Sequence, residues 1–305
     1  SWVDMDTLLQ RVRSIKLDAA LAALLLLFVQ NDLATRRWAT ALGVFQPPLR
    51  YRRMLFIQYM ALFAQLFLPS SIGGAAVRAG MLVRSNVAVG VAVNSVVLDR
   101  VVALVGLVAL AVCFMPAATI SLSVESSPEF LMLTLAIAAL MGIAVVLLLR
   151  WKTLSEWSAV LKRTPLRIFV EPLEHGAPFM VRRRFVVPAL TYSLGGQFAA
   201  ILAIFILARG AGMTVGLLDC ILILPPVMLI AALPISVAGW GVREGAMVIA
   251  FGLLGVSHEA ALVLSLQYAV IGYLAALPGA IAWFLEVDKL SLGRTIGDAD
   301  FEQSR

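Results

Sequence analysis

The chain has 305 residues, of which 61% are hydrophobic and 14% charged, and its mean hydropathy is +0.96. Soluble domains carry roughly 25% charged residues, so this composition excludes an ordinary soluble domain and indicates an integral membrane protein. The formal net charge is +6. The basic residues lie in short segments between apolar runs, where they predict membrane topology and argue against a nucleic-acid partner.

In chain order, the predicted elements are apolar runs typical of membrane helices, which need about 20 such residues to cross a bilayer. The runs cover residues 17–35, 51–68, 86–115, 129–149, 185–208, 217–233, 245–254 and 259–286. We therefore expect an all-α, polytopic membrane domain over residues 17–286. An extracytoplasmic or interfacial lead segment, 1–16, precedes it, and a cytoplasmic tail, 287–305, follows it.

The positive-inside rule orients these runs. Arginines cluster at 36–53, lysines and arginines recur through 150–184, and 116–128 has neither residue type. The first two segments are therefore expected in the cytoplasm and the third outside.

Two apolar runs are interrupted in ways that a simple span does not explain. The run at 51–68 leads into LPSSIGGAAVRAG, residues 68–80, and must return to the cytoplasm before the next span begins. The same reasoning applies, from the opposite side, to LPISVAGWGVREG at residues 233–245. Non-helical backbone at membrane depth is tolerated only inside protein or beside a wet cavity. We therefore expect two opposed re-entrant helical hairpins around a central site.

The two breaks also match each other at one constant offset. Pro69 aligns with Pro234, Ser71 with Ser236, Gly74 with Gly239, Val77 with Val242, Arg78 with Arg243 and Gly80 with Gly245. Opposed copies of one unit predict an inverted-topology repeat, a plan typical of transporters. Repeat 1 spans about 17–115 and repeat 2 about 129–286, including the cytoplasmic loop 150–184. A further transmembrane helix before Ser1 would complete repeat 1.

Each break places an arginine at the start of a short helix, where free N–H groups and partial positive charge favour an anion. Hydroxyls and glycines nearby allow a phosphate to approach the backbone closely. The candidate substrate-binding residues at the breaks are Ser71, Gly73, Gly74, Arg78, Ser236, Gly239, Gly241, Arg243 and Glu244. Arginines that only reach the membrane surface are the alternative, chiefly for Arg78.

Asp99 and Arg100 are further candidates, because they lie about 20 Å along the 86–115 helix. A central charge costs about 2.5–3.5 kcal/mol, so each needs a partner, and Glu244 is a candidate partner for Arg100. A structural ion-pair network is the alternative to a substrate or proton role. The chain has no recognisable catalytic, metal or nucleotide motif, so we expect no enzyme activity, no catalytic residue, no metal and no cofactor.

At these motifs the chain resembles the transmembrane, flippase-like module of bacterial lysylphosphatidylglycerol synthases. The resemblance rests on the two breaks, on SVVLDR at 95–100 and on LLGVSHEAA at 253–261, and it covers residues 17–286. It implies a two-repeat fold in the bacterial cytoplasmic (inner) membrane that translocates phospholipids, aminoacylated phosphatidylglycerol in the best-known branch. It also implies a fused or separate lipid-modifying enzyme as partner.

The function expected from residues and resemblance together is phospholipid translocation, with the lipid phosphate held near the midplane by arginines and short-helix N-termini. A secondary transporter of a small anionic solute and a non-transporting membrane anchor for a lipid-modifying enzyme are the alternatives. The oligomeric state is left open.

Overall fold

The computed structural model describes residues 16–67, 71–121, 183–232 and 241–286, and every regular element within them is an α-helix. The helices are α1 (Leu17–Leu42), α2 (Tyr51–Ala64), α3 (Ser71–Arg84), α4 (Val89–Ser121), α5 (Arg183–Gly210), α6 (Leu217–Ala232), α7 (Val242–Gly252) and α8 (His258–Ala276). The predicted all-α class is confirmed.

Four of these helices are long and apolar enough to cross a membrane: α1, the Val89–Phe114 part of α4, α5, and α8 with its continuation to Glu286. The shortest has 26 residues and is about 39 Å long, which exceeds the roughly 30 Å hydrocarbon core. The chain is therefore a multi-pass membrane protein, as predicted. The predicted span at 129–149 lies outside the described residues.

The other four helices are short and pack in pairs. α2 and α3 have 14 residues each, α6 has 16 and α7 has 11, so each is about 16–24 Å long and too short to cross the core. α2 packs against α3, and α6 packs against α7. We call these pairs hairpin 1 and hairpin 2. The sequence predicts the first turn over residues 69–78, but α3 begins at Ser71, so that prediction is wrong from residue 71 onward and Arg78 lies in the middle of α3, not at the start of a short helix. Residues 68–70, and residues 233–240 of the second predicted turn at 234–243, lie outside the described residues.

Hairpin 1 lies at one end of the bundle, which we call the basic end. Arg53 at the start of α2 donates two hydrogen bonds to Glu286, of 2.9 and 2.8 Å, so α2 begins where α8 stops. Phe185 of α5 packs against Ala41 of α1 and Leu98 of α4. The basic end is defined by the loop 43–50 and the helix ends around it. Its basic residues are Arg36, Arg37, Arg50, Arg52, Arg53, Arg84, Arg183 and Arg184.

Hairpin 2 lies at the opposite end. Cys220 of α6 and Phe251 of α7 belong to one buried cluster with Leu27 of α1, Leu207 of α5 and Ala261 of α8. These partners come from the first half of α1, the last part of α5 and the first turn of α8. The two hairpins therefore occupy opposite ends of the bundle. The inverted repeat itself stays a prediction, because much of repeat 2 lies outside the described residues.

Small residues let these helices approach closely, as is usual in membrane bundles. A methyl group on Gly74 would lie 2.7 Å from the Gln65 side chain, so only glycine allows α3 to pack this closely against the end of α2. At Gly279 it would overlap the backbone carbonyl of Tyr59, so the end of α8 rests directly on α2. Because α3 also packs against α4, hairpin 1 lies between α4 and the continuation of α8.

Candidate functional site

Asp99 of α4 is the centre of a buried charge cluster. Its side chain is fully buried, and each carboxylate oxygen accepts a hydrogen bond from a different arginine. Arg37 Nε lies 2.7 Å from Oδ1, and Arg78 Nη1 lies 2.9 Å from Oδ2. Both arginine side chains are almost buried, with exposed fractions of 11% and 8%. The carboxylate thus ties α1 and hairpin 1 to α4.

Trp38 supports one of these arginines. The Arg78 guanidinium lies 5.2 Å from the centre of the Trp38 ring, within the range of a cation–π contact. The indole N–H donates to the Ser95 hydroxyl at 3.4 Å, and that hydroxyl donates to the Ala92 carbonyl at 2.9 Å. Trp38 is fully buried. The ring and its hydrogen bonds therefore restrict where Arg78 can move.

Arg100 adds a third positive charge. It interacts electrostatically with Asp99, Arg78 and Arg37, yet its own side chain is exposed and pairs with no described residue. The predicted pairing of Arg100 with Glu244 is wrong, because Glu244 pairs with its own neighbour. Within the described part of the chain, the cluster therefore holds three arginines and one aspartate, a surplus of positive charge inside a membrane domain.

The cluster lies toward the basic end. Arg37 precedes the end of α1 by about 8 Å, and Asp99 follows the start of α4 by about 15 Å. The sequence-based depth of about 20 Å counts from residue 86, whereas α4 begins at Val89. The cluster thus lies about 8–15 Å from the helix ends that form the basic end.

Arg243 and Glu244 form a second polar group, in the first turn of α7. Glu244 Oε1 accepts a hydrogen bond of 2.5 Å from Arg243 Nη2, and Oε2 accepts one of 2.6 Å from the Gly241 N–H. Gly241 adopts φ +84°, a left-handed conformation that favours glycine. The predicted anion position at this helix N-terminus is thus already occupied by the protein's own carboxylate.

One donor of Arg243 is left over. Its Nε is buried and has no hydrogen-bond partner among the described residues, although 27% of the side chain is exposed. A buried donor without a partner costs about 1–3 kcal/mol, so such a group favours any ligand that can accept from it. The Tyr268 phenol is near enough to feel the charge of Arg243.

The two hairpins approach the same part of α4. Arg78 is level with Asp99, and Ser71 is seven residues earlier in α3, so it lies about 10 Å further from the basic end. On the opposite side, Leu229 of α6 packs against Leu107, which follows Asp99 by about 12 Å. Both hairpins therefore reach the middle of α4. Among the described residues, Arg78 and Arg243 share no ion-pair partner, because Arg78 pairs with Asp99 and Arg243 with Glu244.

The remaining predicted residues contribute less to what can be described. Gly74 packs against Gln65, so its small size serves helix contact in the first instance. Gly73 is half-buried in the first turn of α3, and Ser71 begins that helix. Ser236 and Gly239 lie outside the described residues.

Sequence reasoning missed Arg37, Trp38 and Ser95. The arginines at 36–53 predict a cytoplasmic loop, whereas α1 continues to Leu42, so that Arg37 lies on a helix inside the bundle. The signal that was available is the arginine–tryptophan pair directly after an apolar run. An arginine beside a large ring is typical of a side chain that packs as well as carries charge.

One of two comparisons with known proteins identifies the family of this chain. A search of curated proteins finds no match to this chain. A family model described as the lysylphosphatidylglycerol synthase TM region matches residues 1–279, which include both breaks and all eight helices named above. This match confirms the predicted resemblance. The chain belongs to the family of the lysylphosphatidylglycerol synthase TM region.

Proposed function

We propose that this protein moves phospholipids between the two leaflets of a bilayer and that its arginines hold the lipid phosphate during transfer. The observation that carries the proposal is the cluster of Arg37, Arg78 and Arg100 around the single carboxylate of Asp99. Membership of a membrane family named for a phospholipid synthase supports it.

The charge surplus of the cluster suits an anionic ligand. A charge within a bilayer is costly unless a counter-charge accompanies it, and Asp99 neutralises only one of three arginines. Arginine presents several donors in a planar fork that matches a phosphate. Arg100 and the Nε of Arg243 offer donors that no described residue uses. A phosphodiester would supply both the missing charge and the missing acceptors.

The two hairpins would provide a path for the lipid phosphate from one leaflet to the other. They lie at opposite ends of the bundle and reach the same part of α4, so movement of either one would open the centre toward one leaflet. We propose that they are re-entrant and belong to repeats 17–115 and 129–286, as in inverted-topology transporters. The phosphate would pass from the Asp99 cluster toward Arg243.

The carboxylates of Asp99 and Glu244 would hold the arginines in position before the ligand binds. Both oxygens of Asp99 already bind arginine, and both oxygens of Glu244 are occupied at the start of α7. We therefore favour charge balance as their role over direct contact with a cationic headgroup. Lysylphosphatidylglycerol is one candidate substrate, and a fused or separate lipid-modifying enzyme is the proposed source of it. We place the protein in the bacterial cytoplasmic membrane.

Transfer of a fluorescent phosphatidylglycerol across reconstituted liposomes tests the proposal. We expect Arg243→Ala and Arg100→Gln to lower the transfer rate at least tenfold, because each removes donors available to the phosphate. Arg52→Gln is the matched control, since Arg52 is exposed, lies at the basic end and belongs to neither polar group. Wild-type rates in both site variants would remove the proposal.

The same liposomes separate the alternatives. Uptake of a small anionic solute without lipid transfer would favour a secondary transporter, and neither activity would favour a membrane anchor. Each variant is first checked for wild-type yield and a single elution peak in detergent, so that a folding defect is not counted as lost transfer.

A further inference from the structure

A cavity of about 510 Å³ opens at the basic end, apart from the residues discussed above. It lies between the last turns of α1, the loop 43–50 and the first turns of α5. Its polar lining is formed by Arg36, Thr40, Tyr51, Arg184 and Tyr192, and Ala39 and Val44 are among its apolar lining. None of Arg37, Arg78 and Asp99 lines it. Cavities of about 300–1,000 Å³ are typical of small-molecule sites.

One wall of the cavity is held in place by a local network. Asp32 accepts a hydrogen bond of 2.7 Å from Arg36 Nε and another from the Tyr51 hydroxyl. The Arg36 guanidinium also lies 4.9 Å from the centre of the Tyr51 ring. Arg36 uses Nε for this contact, and its side chain is 47% exposed. The guanidinium is thus oriented by Asp32 and Tyr51 while much of it stays accessible to a ligand.

The facing wall carries the other arginine. Arg184, near the start of α5, is exposed and forms no ion pair with a described residue. Tyr192 follows it by two helical turns and lines the same cavity. With Asp32 counted against the two arginines, the site has a net positive charge.

This lining has the chemistry of a glycerophosphate site. Two guanidinium groups suit a phosphate, and the apolar side chains suit the start of an acyl chain. The Tyr192 phenol can donate to an ester oxygen, whereas the Tyr51 hydroxyl, which already donates to Asp32, can only accept from a glycerol hydroxyl. Tyrosine and arginine are also the residues that anchor to headgroups at a membrane surface. We propose that this cavity binds the phosphate-bearing headgroup of an anionic phospholipid from the leaflet at the basic end. The proposal stands whether or not the protein translocates lipid.

Native mass spectrometry of the full chain in detergent, titrated with phosphatidylglycerol, tests it. We expect Arg184→Gln to weaken binding about tenfold, because a charged hydrogen bond is lost, and Ala39→Phe to weaken it similarly by filling the cavity. Arg52→Gln removes the same charge from the same end outside the cavity and should bind as wild type does. Phosphatidylcholine should bind at least tenfold more weakly than phosphatidylglycerol.

Equal phosphatidylglycerol binding by wild type, Arg184→Gln and Ala39→Phe would overturn the proposal, as would equal binding of phosphatidylcholine. Arg184 is exposed, so its replacement leaves the fold intact even if Ala39→Phe does not. Competition with inorganic phosphate and glycerol 3-phosphate identifies the source. If neither compound displaces phosphatidylglycerol at millimolar concentration, the natural ligand is a membrane lipid. Full displacement of phosphatidylglycerol would overturn that assignment in favour of a soluble phosphate. If the cavity variants bind lipid weakly but transfer it normally, the proposed translocation is unaffected. If Arg243→Ala and Arg100→Gln lose transfer but bind lipid normally, the proposed cavity site is unaffected.

Discussion

At the scale of single residues, the position of Asp99 explains how a charged cluster survives inside an apolar bundle. A buried carboxylate is tolerated when each oxygen has a charged donor, and here Arg37 and Arg78 supply one each. The three residues come from three helices, so their ion pairs also fix the helix arrangement. Removing the carboxylate leaves both arginines buried without their counter-charge.

We expect Asp99→Asn to destabilise the protein strongly. Breaking a buried ion pair by removing one partner costs about 3–5 kcal/mol, and here two pairs share one carboxylate. The thermal midpoint in detergent should fall well below that of wild type, whereas Arg52→Gln should leave it nearly unchanged. The double variant Asp99→Asn/Arg78→Gln should recover part of the loss, because one uncompensated charge is removed. An unchanged midpoint in Asp99→Asn would contradict the cluster.

The partners of Asp99 also show which contacts the sequence does not predict. The charge of Asp99 predicts a need for partners, because an ion in hydrocarbon is costly. The identity of the partners depends on packing, since Arg37 is 62 positions away and Arg78 is 21 positions away. The two arginine motifs are visible in the sequence, and so is the position of Glu244 three residues after Gly241, which is typical of a helix-capping carboxylate.

At the scale of elements, hydropathy is enough to predict the four spans, because a membrane helix requires only length and apolar composition. Helix ends are harder. α1 reaches Leu42, although the apolar run ends at residue 35, because Arg36 pairs with Asp32 one turn earlier in the same helix and Arg37 pairs with Asp99 of α4. The short helices are predicted as hairpin arms from topology alone, and the glycine contacts that hold them depend on the three-dimensional packing.

The contact between α8 and hairpin 1 gives an element-scale prediction. We expect Gly279→Leu to destabilise the protein, because any Cβ there meets the Tyr59 carbonyl, which cannot move without shifting α2. Overpacking of this kind costs typically 1–3 kcal/mol. Gly272→Leu is the matched control, because a Cβ at Gly272 meets nothing within 4 Å on the same helix. Equal thermal midpoints for the two variants would show that α8 and α2 are not in close contact.

At the scale of the whole molecule, the two ends of the bundle differ both in charge and in which hairpin they hold. The basic end carries the arginines of the loop 43–50 and of the adjoining helix ends. At the opposite end, Asp219 and Glu259 lie in the first turns of α6 and α8. Because cytoplasmic segments are rich in Lys and Arg, this asymmetry predicts that hairpin 1 enters from the cytoplasm and hairpin 2 from outside.

Cysteine labelling in intact cells tests this orientation. Cys220 is buried and Cys113 is exposed, so the background variant is Cys113→Ser. Thr214→Cys lies in the exposed loop between α5 and α6, and Arg52→Cys lies at the basic end. A membrane-impermeant maleimide should label Thr214→Cys in intact cells and Arg52→Cys only after permeabilisation. Labelling of both in intact cells would place the hairpins on one side, and no path from one leaflet to the other would then follow from their arrangement.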